Sequence, residues 1–343
     1  MRHRFRPRGH QFQKVIIVTV VVTGASGHVG GTLVRALLDG GRKVRALVYR
    51  DTRALEGLAL DRVEADVIDR VSLVRAFRGA NLVYHLAARI SITGDDSGEV
   101  ERVNVGGTRN VVSACRECGV RRLVHFSSIH ALRQEPFDRP IDESRPGVGR
   151  EAPAYDFSKA RAEAVALDGN GDGLEVVVVN PTAVIGPGDF KPSAMGQVFL
   201  DLYHRRLPGM VDGGFNWVDV RDAVAGAISA ARDGRPGESY LLGGHWHSIP
   251  ELARMGQQVA GFRPPRLTAP MWLARLAAPL ALVAARLMRT RPLITPESMN
   301  ALAFNPRVDS GKAERELGHR ARPVAESVKD TYRWFAAHGM LDS

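Results

Sequence analysis

The sequence predicts an α/β protein: a doubly wound parallel sheet covered by helices on both faces, followed by a smaller C-terminal lobe. Three observations predict it. Short, continuous, largely β-branched runs recur along the first half of the chain, stretches of helical periodicity separate them, and after Pro181 the composition shifts to proline and glycine. Runs that are apolar at every position, not at alternate ones, belong to strands buried on both faces, as in a parallel sheet. Strands alternating with helices connect as right-handed βαβ units.

Val15 to Val22 predicts the opening strand. Val44 to Val48, Leu82 to Leu86, Leu123 to Phe126 and Leu174 to Val179 predict later strands, and Val29 to Leu38, Val71 to Phe77 and Val100 to Cys115 predict helices between them. Beyond Pro181, residues Gly186, Pro187, Gly188, Pro192, Pro208, Gly209, Gly213 and Gly214 mark a loop-rich half. Segments return from it to the sheet around Asp219 to Ala231 and Tyr240 to Gly243. The expected division is a basic, disordered tail over 1–14, a sheet domain over 15–180 and a lobe over 181–343 that carries the substrate site.

Composition narrows the functional classes. A chain of 343 residues, 44% hydrophobic and 24% charged, is long enough to bury a large core, which excludes disordered, collagenous and disulfide-scaffold proteins. Two cysteines, Cys115 and Cys118, are too few for a structural zinc site of about four ligands, and they read as reduced thiols of a cytoplasmic protein. No metal site is expected; His245 and His247, two apart around Trp246, do not share a face. The net charge is +10, but Arg2, Arg4, Arg6, Arg8 and Lys14 supply half of it, leaving no footprint for nucleic acid in the body of the chain. That tail runs into Val15 to Val22 without an A-x-A cleavage site, so the apolar run is a strand and no signal peptide. The tail itself reads as an extension, with weak attraction to anionic lipid as the alternative. Met271 to Met288 is the one other place where a membrane enters. Its uncharged run, Leu276 to Ala285, is ten residues with Pro279 inside, against about 20 for a span. Two readings stay open: a lid or packing helix over the substrate pocket, and a peripheral contact with Arg286, Arg289 and Arg291 at lipid phosphates.

The motifs carry the chemistry. The first strand ends in Thr23-Gly24-Ala25-Ser26-Gly27-His28-Val29-Gly30, and a helix follows at once. Glycines at 24, 27 and 30 allow a tight turn, close approach to a pyrophosphate and close helix packing, while the helix start offers free N–H groups to the anion. With a second strand about 20 residues on, this is a Rossmann-type site, and Gly24, Ser26, Gly27, His28, Val29 and Gly30 are its candidate cofactor-binding residues. The second strand ends Val48-Tyr49-Arg50-Asp51. Arg50, with Arg53 behind it, favours the 2′-phosphate of NADP, whereas Asp51 would favour the ribose hydroxyls of NAD.

Ser128 closes the Leu123 to Phe126 strand segment, and Tyr155 and Lys159 stand at i and i+4 on one face of a helix. A neighbouring ammonium is expected to lower the phenol's pKa, so that Tyr155 exchanges a proton with a substrate oxygen that Ser128 also holds. Ser128, Tyr155 and Lys159 are the candidate catalytic residues. His130, two residues beyond Ser128, reads equally as packing or as a substrate contact.

In this order the motifs resemble an extended short-chain dehydrogenase/reductase of the NAD-dependent epimerase/dehydratase type, over about residues 15 to 340. The pieces are T-G-A-S-G-H-V-G, Asp66, H-L-A-A at His85 to Ala88, N-V-G-G-T at Asn104 to Thr108, F-S-S at Phe126 to Ser128, Tyr155 with Lys159, and N-P-T at Asn180 to Thr182. The segments at Val44 to Val48, Asn180 to Asp189 and near Val308 are most similar to dihydroflavonol-reductase-like and 3β-hydroxysteroid-dehydrogenase-like members, and hopanoid-associated sugar epimerases are similar too. The resemblance implies that Asp66 and Val67 lie at the adenine and that Leu86, Ala87 and Ala88 turn over the adenosine side. It implies that Lys159 holds the nicotinamide ribose, and that Pro181, Thr182 and Val184 lie beside the nicotinamide. It implies a homodimer through the fourth and fifth helices, Asp219 and Asp222 docking the second lobe, and Asn104 ordering the site, against a plain helix cap. Sugar epimerases carry a tyrosine and a glycine after the serine, where this chain has Ile129-His130-Ala131-Leu132; of these, Ile129, Ala131 and Leu132 are read as an apolar pocket edge. The expectation is an NADP- or NAD-dependent oxidoreductase acting on a carbonyl or secondary alcohol of a small, largely apolar molecule. The alternatives are a sugar epimerase or dehydratase and, from another class, a dinucleotide sensor without turnover.

Overall fold

The computed structural model describes residues 19–49, 51–95, 97–287 and 295–342. The tail over 1–14, the start of the first predicted strand, Arg50 and the end of the Met271 to Met288 stretch lie outside the described residues.

In the first half, β1 (Thr19–Thr23), α1 (His28–Asp39), β2 (Lys43–Val48), β3 (Asp61–Glu64), α2 (Arg70–Phe77) and β4 (Ala80–His85) follow one another. Next come α3 (Glu99–Glu101), a π-helical turn at Arg102–Gly106, α4 (Gly107–Glu117), β5 (Arg122–Phe126), α5 (Ala154–Asp168) and β6 (Glu175–Pro181). The second half contains β7 (Ala183–Ile185), α6 (Ala194–Tyr203), β8 (Met210–Val211), β9 (Gly214–Asp219), α7 (Val220–Asp233), β10 (Ser239–Leu242) and β11 (His245–Ser248). It closes with α8 (Ile249–Ala260), β12 (Thr268–Ala269), α9 (Met271–Leu287), α10 (Pro296–Leu302), α11 (Gly311–Leu317) and α12 (Val324–Ala337).

Seven strands form one parallel sheet in the order β10-β6-β5-β4-β1-β2-β3. The order reverses direction beside β1, the place where doubly wound sheets open a crevice at the carboxyl ends of their strands. Residues Val20, Val21 and Val22 are at most 1% exposed because helices cover both faces. On one face Val20 and Val22 meet Leu33, Val34 and Leu37 of α1 and Val224 and Ala227 of α7; on the other, Val21 and Val83 meet Leu73 of α2 and Val111 of α4. The expected strands and helices appear within a few residues of their predicted bounds. β3 was marked by no apolar run because it is an edge strand, Asp-Arg-Val-Glu, that buries little.

The smaller lobe holds a three-stranded sheet, β11-β9-β7, and a two-stranded one, β12-β8. Its core gathers Phe199, Trp217, Leu252, Phe262, Tyr332 and Phe335. β10 returns to the main sheet beside β6, with Leu242 in register with Pro181. Asp219 and Asp222 tie this return to the C-terminal segment: Arg322 donates to Asp222 at 2.8 Å and lies 3.7 Å from Asp219, which Arg221 also grips at 2.8 Å. The Asp219 side chain is fully buried, so it needs those cations.

Replacing Arg322 by Met should therefore lower unfolding free energy by about 1–3 kcal/mol by leaving buried carboxylates short of a donor. Urea unfolding followed by circular dichroism reads this, and an unchanged midpoint would show that Arg221 alone satisfies the pair.

Candidate active site and cofactor cleft

The cofactor cleft is built from backbone pressed against backbone. Gly24 has φ +67°, and a Cβ there would lie 2.7 Å from the Ala87 nitrogen. A Cβ on Gly30 would lie 2.1 Å from the Gly24 carbonyl oxygen, so only glycine lets α1 start this close to the turn. Thr23 Oγ1 accepts from the amides of Leu86 and Ala87 at 3.2 and 3.1 Å and pairs with His85 Nδ1 at 2.8 Å. This knits the ends of β1 and β4 together and sets Leu86, Ala87 and the exposed Ala88 beside the glycine turn. Gly27 caps α1 without a side chain, and the first turn has no acidic residue, leaving the amides of His28, Val29 and Gly30 available to an anion. His28 Nε2 donates to the Pro187 carbonyl at 3.0 Å, and His28 and Val184 line one small cavity. Ser26 is half-buried on the same turn. Asp66 Oδ1 accepts from the Ile68 amide at 3.1 Å, and Val67 packs on Gly107, whose Cβ would meet it at 2.9 Å. These residues fit a dinucleotide: its pyrophosphate at the α1 start and its adenosine side along Asp66, Val67 and Leu86 to Ala88.

Arg50 lies outside the described residues. Its neighbour Asp51 is held by Arg53, whose guanidinium donates to it at 2.7 Å. Those hydrogen bonds pull the Asp51 carboxyl down to about 2, with Lys191 adding to the pull through space. Lys191, far away in sequence, was not expected here.

The chemical end of the cleft lies at the carboxyl ends of β5 and β6. Ser128 is extended and caps the 3-10 turn Ile129–Ala131 by accepting from the His130 amide at 3.2 Å. Tyr155, half-buried in the first turn of α5, lies within hydrogen-bonding reach of Ser128. Lys159, one turn on and 4% exposed, donates to the Phe126 carbonyl at 2.6 Å. So Ser128, Tyr155 and Lys159 do come together. The expected lowering of the phenol does not occur: burial pushes the Tyr155 phenol upward, the Asp156 carboxylate adds to this, and only the Ser128 contact opposes it. Lys159 directs one of its three hydrogens to Phe126 and is not among the groups that shift the phenol. Its own ammonium is brought down to about 8 by burial, against the opposing pull of Glu163. The free protein thus carries a protonated phenol above a partly destabilised cation.

Beneath them is a polar layer. Glu163, one further turn along α5, accepts from Asn180 Nδ2 at 2.7 Å, and Asn180 also donates to the Ser128 carbonyl at 3.2 Å. The His85 and His125 rings lie 5.3 Å apart, tilted at 45°; burial first, then Lys159, drives His85 down to about 3 and His125 well below its ordinary value, so both are neutral. Glu163 continues the 155, 159 spacing and was legible as such, but it was missed. Asn104 is not a helix cap. It sits in the π turn, accepting from the Arg89 amide at 2.7 Å and donating to Arg89 O and Ser158 Oγ at 3.0 and 2.9 Å. Ser158 in turn donates to the Tyr155 carbonyl at 2.7 Å, so Asn104 orders the start of α5.

His130 pairs with Asp156 at 2.9 Å, its ring 5.7 Å from Tyr155 and 4.8 Å from Phe304. Ile129, Ala131 and Leu132 do not form the pocket edge. They are at most 7% exposed, and Ile129 and Leu132 pack with Ile141 and Leu241, because the 3-10 turn points them inward. The apolar side chain that does reach this end is Phe304, distant in sequence, which packs on the His130 ring. Thr182 and Pro181 are buried at the end of β6, and Val184 is in register with Val218 on β9. His245 and His247 turn to different partners, Ala321 O and Glu251.

Residues 20–243 match the model of the NAD dependent epimerase/dehydratase family. The chain belongs to that family, and it is an NAD(P)-dependent oxidoreductase of the extended short-chain type with a small-molecule substrate. It is 37% identical to Sterol demethylase protein B of Methylococcus capsulatus, over 94% of this chain and 100% of the relative. It is 33% identical to a putative dihydroflavonol 4-reductase of Synechocystis, over 93% and 95%. The solved structure of gox2253 superimposes with a TM-score of 0.82 at 33% identity, covering 94% of this chain and 99% of the other.

Because Glu163 supports the charge on Lys159, the cation is present below about pH 8 and lost above it. Glu163→Gln should move the alkaline fall of kcat/KM to lower pH. A pH–rate profile reads this, and a limb that stays put or moves upward would sever Glu163 from Lys159.

Proposed function

We propose that this protein reduces a carbonyl on a small, largely apolar, ring-containing molecule, or oxidises the matching secondary alcohol, with NADPH as the preferred nucleotide. The observation that carries this reading is the Tyr155 phenol, kept protonated by burial and set between Ser128 and the His130–Phe304 wall. A protonated phenol is the form needed to donate to an oxygen that gains negative charge as a carbonyl is reduced. Ser128 orients that oxygen, and Lys159 holds the ribose and supplies nearby positive charge. The bound nicotinamide supplies or accepts the hydride, flanked by Pro181, Thr182 and Val184. Phe304 gives the pocket an apolar side, and two relatives are named for a sterol and a dihydroflavonol, both ring systems with oxygen substituents.

The NADPH preference is supported at the end of β2. Asp51, the carboxylate that would accept ribose hydroxyls, is occupied by Arg53, and Lys191 adds positive potential at Asp51. The reading also includes a cytoplasmic homodimer through α4 and α5. In its favour, α4 and α5 pack side by side and both cysteines are free thiols.

Steady-state kinetics with NADPH and NADH on an apolar ketone panel, with nucleotide affinity and light-scattering mass measured alongside, test the proposal. Wild type should favour NADPH, and Tyr155→Phe should keep its nucleotide affinity while losing about 10²- to 10⁴-fold in turnover. Activity within about threefold of wild type would remove Tyr155 as the proton donor. Stoichiometric nucleotide that purifies with the protein and is never consumed would favour an epimerase.

A further inference from the structure

Over residues 272–280, helix α9 exposes its leucines and its tryptophan and buries two alanines. Trp272, Leu273, Leu276 and Leu280 are 64%, 45%, 67% and 75% exposed, and Leu267, just before the helix, is 73% exposed. The side that packs is a narrow strip, Ala274 and Ala278 with Met271, set on Met299, Val211 and Leu302. A helix that closes a pocket or core turns its bulky apolar side inward; this one turns it out. Positions 272, 276 and 280 recur every four residues, giving one apolar stripe about 12 Å long. Contiguous apolar surface of this kind marks an interaction site.

The charge around the stripe says what it meets. From Leu252 to Pro296 the sequence has seven arginines, at 254, 263, 266, 275, 286, 289 and 291, and no aspartate or glutamate. Together with the tail, this segment accounts for more than the whole net charge of +10, so the rest of the chain is slightly acidic. Arg275, on the same helix, and Arg263 and Arg266, in the segment leading to it, are exposed. A second copy seated on this face would bring arginine against arginine. A surface with anionic headgroups over an apolar interior matches both halves of the pattern.

We propose that this face docks on the surface of an anionic lipid bilayer. α9 lies in the interfacial plane, with Trp272, Leu276 and Leu280 at the boundary of headgroups and acyl chains and Arg263, Arg266 and Arg275 at the phosphates. No helix among the described residues is long and apolar enough to cross a membrane, which suits a helix that lies on one. The docked segment leads directly to the chemistry: α9 packs on α10, and Phe304, two residues beyond α10, touches His130 beside Tyr155. Docking would therefore turn the substrate end of the cleft toward the lipid. The docking itself does not depend on the reductase reading.

The test is co-sedimentation of the full-length protein with vesicles of phosphatidylcholine alone or mixed with phosphatidylglycerol, at low and high salt. Binding should be at least tenfold stronger to the anionic vesicles and should weaken with salt, with a blue-shifted tryptophan emission that Trp272→Phe removes. Leu276→Glu with Leu280→Glu should cut binding at least tenfold while turnover of a water-soluble ketone is unchanged. Wild type that stays in the supernatant overturns the proposal. So does the double variant binding as well as wild type, or replacing Arg2, Arg4, Arg6 and Arg8 by glutamine abolishing binding on its own. A double variant that only changes the light-scattering mass would assign the face to a second copy of the chain and would equally overturn it.

Discussion

Lys159 carries an ammonium into a place almost closed to water, and burying a charge is costly unless nearby groups satisfy it. The Phe126 carbonyl takes one of its hydrogens at 2.6 Å, and Glu163 supplies opposite charge from one turn further along α5. Much around the site is arranged to suit that cation. His85 and His125, which face it from β4 and β5, are held neutral, so that no second positive charge adds to it. Asn180 bridges Glu163 to the Ser128 backbone, linking the group that supports the cation to the strand end that carries the serine. Asn104, from the π turn, fixes the start of the same helix through Ser158. The phenol is then placed by a helix whose register is set on three sides.

A second constraint is steric and acts at the other end of the cleft. The turn after β1 passes so close to Ala87 and to the start of α1 that side chains at Gly24 and Gly30 have no room. That closeness brings the unpaired amides of α1 to the mouth of the sheet, where backbone and not side chains is presented to an anion. The two constraints meet at the end of β4, since Thr23 of β1 and Thr108 of α4 both bond His85, at 2.8 and 3.1 Å. The cofactor end and the chemical end of the cleft thus share one buried histidine.

Much of this was legible in the sequence, and the reason is local. Strands apolar at every position, glycines at fixed spacing between a strand and a helix, and Tyr155 with Lys159 at i and i+4 are written in contiguous residues. What was not legible depends on contacts between distant segments. Phe304 and Lys191 reach the cleft from far along the chain, and no local pattern announces them. Ile129 and Leu132 were misplaced because their direction depends on a 3-10 turn and on Ile141 and Leu241 waiting beneath it. The phenol was expected to be lowered by Lys159 because helical spacing brings the two close; the carbonyl of Phe126, which takes the ammonium instead, is invisible to spacing. Asn104 was undecided because a π turn inside a helix has no clear sequence signature.

The central claim is that hydride leaves the nucleotide for a substrate carbon while Tyr155 protonates the oxygen, and that the spent nucleotide then departs. It is tested most directly by supplying NADPH deuterated at the transferring C4 position together with an apolar ketone, and locating the label by mass spectrometry and NMR. The account predicts one deuterium on the carbinol carbon of the product for each NADPH consumed. Label retained on protein-bound nucleotide, with the substrate inverted or dehydrated and no NADPH consumed, would contradict it.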